Sequence, residues 1–332
     1  MSPRCLLRPL GGLIIVPMTA WGAAALFYSR PGGSRAGAVL AVAFVAASAL
    51  AFWRLPRRGR TLTAFLLVFA ALVVWWLRLP ASGDGDWQPE VAVAPWATQS
   101  GDLLTIHGVR NFEYRTETDF APRWETRTYD ISTLDSGDLI AVYWGSKAIA
   151  HIMLSFGFAG RDYLAISIET RKHRGQAYST VEGFFKQYEL VYVAGDERDL
   201  IGVRATHRRP QEDVYVYRLY MPRENLRRVF LDYVRTMNEM RERPRFYNTL
   251  TTNCTTGILM HAQVNPGAPA WSWRVLLPGY VPQLVYDRGR LDTSLPFKEL
   301  ERRAWVNARA HAADRDPAFS QRIRAALAAP KR

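Results

Sequence analysis

Three apolar stretches near the start constrain this chain more than anything that follows. They are "LGGLIIVPMTAWGAAALFY" (10–28), "AGAVLAVAFVAASALAFW" (36–53) and "TLTAFLLVFAALVVWWL" (61–77). Each is close to the length that crosses a bilayer, and none contains a charged residue. None has a polar face, which argues against buried helices of a water-soluble core. Arg4 and Arg8 ahead of the first run, and small residues towards its end, also fit a cleaved signal peptide. Two further runs favour a retained anchor of three transmembrane helices.

Arginines set the expected orientation. Arg4 and Arg8 precede the first span, and Arg54, Arg57, Arg58 and Arg60 lie between the second and third, against Arg30 and Arg35 in the loop between the first two. The positive-inside rule then puts the N-terminus in the cytoplasm and everything after the third span on the far side of a bacterial inner membrane. The net charge of +13 is spread along the chain, with no aromatic-interleaved basic block, so nucleic acid is not an expected partner. The reading divides the chain into an anchor (1–80), a Pro-, Gly- and Asp-rich linker (81–97, within "PASGDGDWQPEVAVAP"), an extracytoplasmic domain (98–298) and an Ala- and Arg-rich helical tail (299–332).

Strand patterns cluster in the third part: "DLIAVYWG" (138–145), "IAHIMLSFGF" (149–158), "DYLAISIET" (162–170), "YELVYVAG" (188–195), "LIGVRATH" (200–207) and "DVYVYRLY" (213–220). The period then changes: Leu226, Val229, Phe230, Tyr233, Val234, Met237 and Met240 mark one face of a helix that Pro244 ends. Strands followed by helices predict an α+β domain, an antiparallel sheet of five or six strands with helices packed on one face.

The chain holds two cysteines. Cys5 lies before the first span and so cannot pair with Cys254 across the membrane. Cys254 is then a lone thiol in an oxidising compartment, either buried and inert or retained for chemistry. Its setting, "YNTLTTNCTTGILMHA" (247–262), places it in the first turn of a helix capped by Thr252 or Asn253. There the helix dipole favours thiolate, and backbone N–H groups are placed to receive an oxyanion, with Asn248 as a candidate side-chain donor.

A thiolate mechanism needs an imidazole. Of the six histidines, His261 is too far along the same helix, His173 and His207 sit in charged segments, His311 belongs to the tail, and His107 precedes the expected sheet but stays open. His151 lies inside a strand. If "FAGRD" closes a hairpin with a three-residue loop, Phe158 pairs with Asp162 and His151 faces Glu169, a carboxylate able to orient it. The plainer alternatives are a half-buried structural histidine and an exposed glutamate beside Arg171. Metal chemistry lacks a motif, with no HExxH and no paired-cysteine spacing, and no Gly-rich phosphate loop or other reason for a cofactor is present.

With these residues in view, "YWGSKAIAHIMLSFGF", "YLAISIETR", "GFFKQYELVYVAGDERDLIGVR" and "FYNTLTTNCTTGI" together resemble the Lnb-type periplasmic domain family, named for lipoprotein N-acylation, over about residues 100–290. The resemblance implies a permuted papain-like (NlpC/P60-related) fold and a Cys254–His151 site. It also implies transfer of an acyl chain from membrane phospholipid to the free α-amine of a diacylated lipoprotein. The roles of Glu169, Asn248 and Asn253 are read from chemistry alone. A cysteine hydrolase of the envelope (peptidase, amidase or phospholipase) and a non-catalytic envelope binding module are the alternatives. The segment "APAWSWRVLLPGYVPQLVY" (268–286) either rests at the membrane interface or packs as a loop across the sheet.

Overall fold

The computed structural model describes residues 3–29, 35–55, 58–268 and 270–327, with side chains from residue 13 onward except that of Arg58. Arg30 and Arg57, two of the orienting arginines, lie outside the described residues, as do the side chains of Arg4, Cys5 and Arg8. The chain forms two compact units. One comprises residues 1–82, 177–189 and 245–249, and the other 83–176, 190–244 and 250–332.

The first unit is built on α1 (Pro3–Tyr28), α2 (Arg35–Arg54) and α3 (Arg58–Arg78). By length and composition, α2 and the stretch Gly59–Arg78 of α3 can cross a membrane, while the described apolar part of α1, Leu13–Tyr28, is shorter. Two helices therefore meet that measure where the sequence suggested three. Val39, Val42, Leu67 and Leu77 are exposed on them, an apolar surface unsuited to water. Trp21 packs edge-to-face on Trp76 with ring centroids 5.4 Å apart, and the Trp76 indole N–H donates to Ser29 Oγ at 2.8 Å. Lys186 closes the end of α3: its ammonium donates to the carbonyls of Trp76 at 2.7 Å and Leu79 at 3.1 Å, orphan acceptors past a helix C-terminus.

The second unit carries the strands, β1 (Trp96–Ser100), β2 (Leu103–Arg110), β3 (Glu113–Tyr114), β4 (Phe120–Ala121), β5 (Trp124–Asp130), β6 (Leu134–Tyr143), β7 (Ala150–Phe158), β8 (Asp162–Arg171), β9 (Glu189–Gly195) and β10 (Asp213–Arg218). An eight-stranded sheet runs β1-β2-β9-β8-β7-β6-β10, with β5 also paired to β2, and β3 and β4 make a separate ladder. The β1–β2, β2–β5, β3–β4, β6–β7, β6–β10 and β7–β8 ladders are antiparallel, and β2 and β9 make one parallel contact, Arg110 to Gly195. Between and after the strands come α4 (Glu197–Leu200), α5 (Arg223–Glu242), α6 (Cys254–Ala262), α7 (Val281–Asp287), α8 (Phe297–Ala304), α9 (Asn307–Ala312) and α10 (Phe319–Ile323). The unit is a mixed α+β domain.

Helices cover both faces of the sheet, not one. On one side, Phe230 of α5 meets Phe156 and Phe158 of β7 with centroids 4.9 and 5.4 Å apart. On the other, Ile140, Val142, Met153 and Val216 pack with Leu200, Ile201, Val306, Ala310, Phe319 and Ile323 from the later helices. The central strands are buried almost without interruption, the pattern expected of a doubly covered sheet.

Three expectations are corrected. "LIGVRATH" is not a strand: Asp196 caps α4 by accepting from the Arg198 N–H at 2.9 Å, and a π-helical turn, Val203–His207, continues it. Its apolar alternation misled because nearly every side chain there is buried, whichever way it points. β1, β2 and β5 lengthen the sheet, so His107 sits within it and not ahead of it. Their polar, partly exposed residues carry little strand signal. Finally, the segments read as linker and tail belong to the core. Trp87 and Val91 are buried, and Arg324 enters the interior to meet Glu197 Oε2 at 2.6 Å and Asp138 Oδ2 at 2.8 Å.

The entrance to β7 is pinned from outside the sheet. The Gly279 N–H donates to Ala148 O at 3.0 Å, and the Tyr143 hydroxyl donates to Gly279 O at 2.7 Å. A Cβ on Gly279 would stand 2.0 Å from the Lys147 carbonyl oxygen, a backbone atom that cannot swing aside. Gly279→Ala is expected to cost about 1–3 kcal/mol by overpacking. A thermal unfolding midpoint equal to wild type would show that the 144–149 loop gives way freely.

Candidate functional site

The site is assembled by a helix cap and a hairpin register. Asn253 is the N-cap of α6. Its Oδ1 accepts from the Thr255 and Thr256 N–H groups at 2.9 Å each, and its own N–H donates to Thr256 Oγ1 at 2.9 Å. Of the two cap residues expected, Asn253 therefore holds the position, and its amide oxygen faces the helix. This makes it a positioning residue whose acceptor is already occupied. Cys254 follows as the first helical residue, half-buried, with Sγ 3.7 Å from Thr255 Oγ1. A Cβ added at Gly257 would lie 2.6 Å from Ile168 Cδ1, so the missing side chain lets α6 approach β8 closely.

The β7–β8 hairpin has the loop length and register the sequence predicted. Ala159 and Gly160 take positive φ values of 51° and 63°, the Arg161 N–H donates to Phe158 O at 3.0 Å, and Phe158 pairs with Asp162. The ladder continues to Leu154 opposite Ile166. Beyond it, His151 Nε2 lies 3.2 Å from Glu169 Oε1. A third group stands between them: Ser167 Oγ is 2.6 Å from His151 Nε2 and donates to Glu169 Oε1 at 2.7 Å. Arg204, on the π-helical turn and buried, donates to the same oxygen at 2.8 Å.

The Cys254 thiol and the His151 ring are near enough for each to set the other's charge. With Nε2 directed at Ser167 and Glu169, Nδ1 is the nitrogen left for sulfur. Charge follows from this arrangement. Burial by itself lowers the imidazole pKa, but the Glu169 carboxylate and the Cys254 thiolate outweigh it and push His151 up to about 9. Burial raises the Cys254 thiol, yet the imidazolium, the Ile152 N–H and the Thr255 hydroxyl bring it below the ordinary thiol value. Glu169, raised by burial, is held well below the usual carboxylate range by His151, Arg204 and Ser167. These shifts favour a thiolate–imidazolium pair backed by a carboxylate.

Asn248 falls in the 245–249 segment of the first unit. Four of the other histidines are engaged by other partners. His107 stacks on Trp96 in the outer part of the sheet with centroids 3.9 Å apart, and His173 stacks on Trp87. His207 is 3.1 Å from Asp314 and so is not simply solvated. His261, two turns beyond the thiol, is fully buried between Asp232 and Tyr192, each at 2.7 Å, and ties α6 to α5 and β9. Among the described residues, no group of three or more His, Cys, Asp or Glu side chains is placed to hold a metal ion.

Sequence reasoning missed Ser167 and Arg204. The register count that paired His151 with Glu169 also makes Ser167 a diagonal neighbour of His151, so that signal was available. Nothing in the sequence pointed to Arg204, whose segment resembles a strand.

A helix-borne thiol beside a strand-borne imidazole and carboxylate brings together the groups that nucleophilic thiol chemistry uses. Residues 120–279 match the Lnb N-terminal periplasmic domain, the family whose motifs the sequence carries. Searches of curated proteins and of solved structures give no significant match.

The charge assignment has a measurable signature. A raised folded pKa on His151 stabilises the fold fully below the unfolded value of about 6.5 and is lost as pH rises through about 9. The depressed thiol pKa acts in the opposite sense, losing its contribution as pH falls through the folded value. Cys254 alkylation should therefore begin below the ordinary thiol pKa. In Glu169→Gln the imidazolium should deprotonate below 9, and in His151→Ala only the Ile152 N–H and the Thr255 hydroxyl still oppose burial, so the onset should move to higher pH. Superimposable alkylation profiles for all three proteins would refute the ion pair.

Proposed function

We propose that this protein is a membrane-anchored thiol acyltransferase that moves an acyl chain from phospholipid to the N-terminal amine of a diacylated lipoprotein through a Cys254 thioester. The observation that carries the reading is the electrostatically coupled Cys254–His151 pair, with His151 Nε2 directed at Ser167 and Glu169. The strands precede the helix in the chain, which suits a circularly permuted papain-like layout. The match to a periplasmic domain and the apolar N-terminal helices support an inner-membrane protein with this domain on the periplasmic side and its N-terminus in the cytoplasm.

The chemistry follows from the charges. Cys254 thiolate attacks the ester carbonyl carbon, and negative charge moves to the carbonyl oxygen. The Thr255 and Thr256 amides are taken by Asn253, so the Cys254 N–H at the helix entrance is the nearest backbone donor for that oxygen. Imidazolium His151 gives its proton to the departing alkoxide as the C–O bond breaks, leaving a thioester and a lysophospholipid. Neutral His151 then takes a proton from the attacking amine, the C–N bond forms, and thiolate leaves. Glu169, held by Arg204, stabilises the imidazolium at each stage.

Intact mass of the purified full-length protein after incubation with phospholipid tests the proposal, beside Cys254→Ser and His151→Ala. The expected result is a fatty-acyl adduct on wild type that a diacylated lipopeptide discharges, and a rate at least about a hundredfold lower in His151→Ala. Discharge by water alone would make the protein a lipase. A wild-type protein that forms no adduct, with a thiol unreactive towards alkylation, would leave a binding module.

A further inference from the structure

The sheet unit contains a cavity of about 220 Å³ running along α6. Thr255, Ile258, Leu259 and Ala262 line one wall, the spacing of a single helix face. Leu139 and Leu154 of the sheet, Val229 of α5, and Val275, Val281 and Leu284 of the following segment complete it. Its lining has no aromatic ring and no acid. It begins beside the thiol, since Thr255 Oγ1 is 3.7 Å from Cys254 Sγ, and follows the helix for the seven residues to Ala262, about 10 Å. Past the end of α6 lie Asn225 and Asn265, where the Asn265 side-chain Nδ2 donates to the Asn225 backbone carbonyl at 3.0 Å. Asn265 Oδ1 is buried there with no hydrogen-bond partner. An alkyl chain entering from the thiol end thus finds aliphatic walls and a polar floor.

We infer that this cavity is the acyl-chain site, holding the fatty chain carried on Cys254 and limiting its length at the Asn225–Asn265 end. The inference rests on the thiol-acylation reading. A slot lined largely by Leu, Ile, Val and Ala, with Arg288 and Arg290 among its polar residues, suits an unbranched chain better than a peptide, whose amide groups the aliphatic walls would leave unpaired. Extra methylenes gain burial until the chain meets the asparagines, after which they must bend or stay in water.

The test uses the full-length protein in nanodiscs and compares butanoyl with octanoyl phosphatidylethanolamine as donors, reading the initial rate of the Cys254 adduct by mass. Ala262→Phe places a ring in the distal half of the slot, which an octanoyl chain reaches and a butanoyl chain does not. The octanoyl-to-butanoyl rate ratio is expected to fall about tenfold or more, since each excluded methylene is worth roughly a fourfold change. Ile258→Ala, which widens the slot without adding bulk, should change the ratio far less. Circular dichroism and the Cys254 alkylation rate establish that each variant is folded. An unchanged ratio in folded Ala262→Phe, or a wild-type rate indifferent to chain length, overturns the cavity assignment while leaving thiol acylation standing. If wild type forms no adduct, binding of cis-parinarate to the Cys254→Ala protein decides the cavity separately. Fluorescence lost in the Cys254→Ala/Ala262→Phe double variant supports it, and equal fluorescence refutes it.

Discussion

A single carboxylate oxygen organises the sheet domain. Glu169 Oε1 receives Ser167 at 2.7 Å and Arg204 at 2.8 Å, and lies 3.2 Å from His151 Nε2. A carboxylate out of water is costly unless its charge and lone pairs are met. Here one cation is permanent and the other is created when the thiol gives up its proton. Removing Arg204 would leave the imidazolium to carry that burden alone, and removing the imidazolium would leave the thiolate without its partner. Stability and reactivity are therefore coupled through Glu169, and the coupling extends from β8 to the start of α6.

The position of the thiol is settled by shape as much as by charge. Asn253 fixes the first turn of α6, Gly257 lets that helix lie close on Ile168, and His261 anchors its far end to Asp232 and Tyr192. The helix is thus held at its start, middle and end. A thiol on such a helix has little freedom to retreat from the imidazole, the kind of pre-organisation that lowers the cost of reaching a transition state.

The parts of this arrangement legible in the sequence were those governed by local rules. Cap chemistry exposed the α6 entrance at "TTNC", and hairpin loop length gave the His151–Glu169 pairing from "FAGRD" alone. The 3.6-residue period marked the buried face of α5, with Leu226, Phe230, Tyr233 and Met237 all inside. What escaped depended on long-range packing. Burial on both faces erases alternation, so "LIGVRATH" looked like a strand and Arg204 was hidden with it. The outer strands, with residues such as Thr98, Thr105 and Thr128 paired across water-exposed edges, lacked the apolar signal that marks a central strand. The tail appeared featureless because nothing in an Ala- and Arg-rich segment marks Arg324, among its several arginines, as the one that belongs inside.

That arginine has a consequence for how the molecule comes into being. Asp138 on β6 and Glu197 at the start of α4 are both fully buried, and Arg324 bonds to each. Arg218 also bonds to Asp138, whereas for Glu197 the described cationic partner is Arg324 alone. Until residue 324 has been synthesised, Glu197 has no counter-ion for its place in the interior. The growing chain must keep it hydrated, so this side of the core closes late, and the turn that carries Arg324 acts as the fastening for strands made almost two hundred residues earlier.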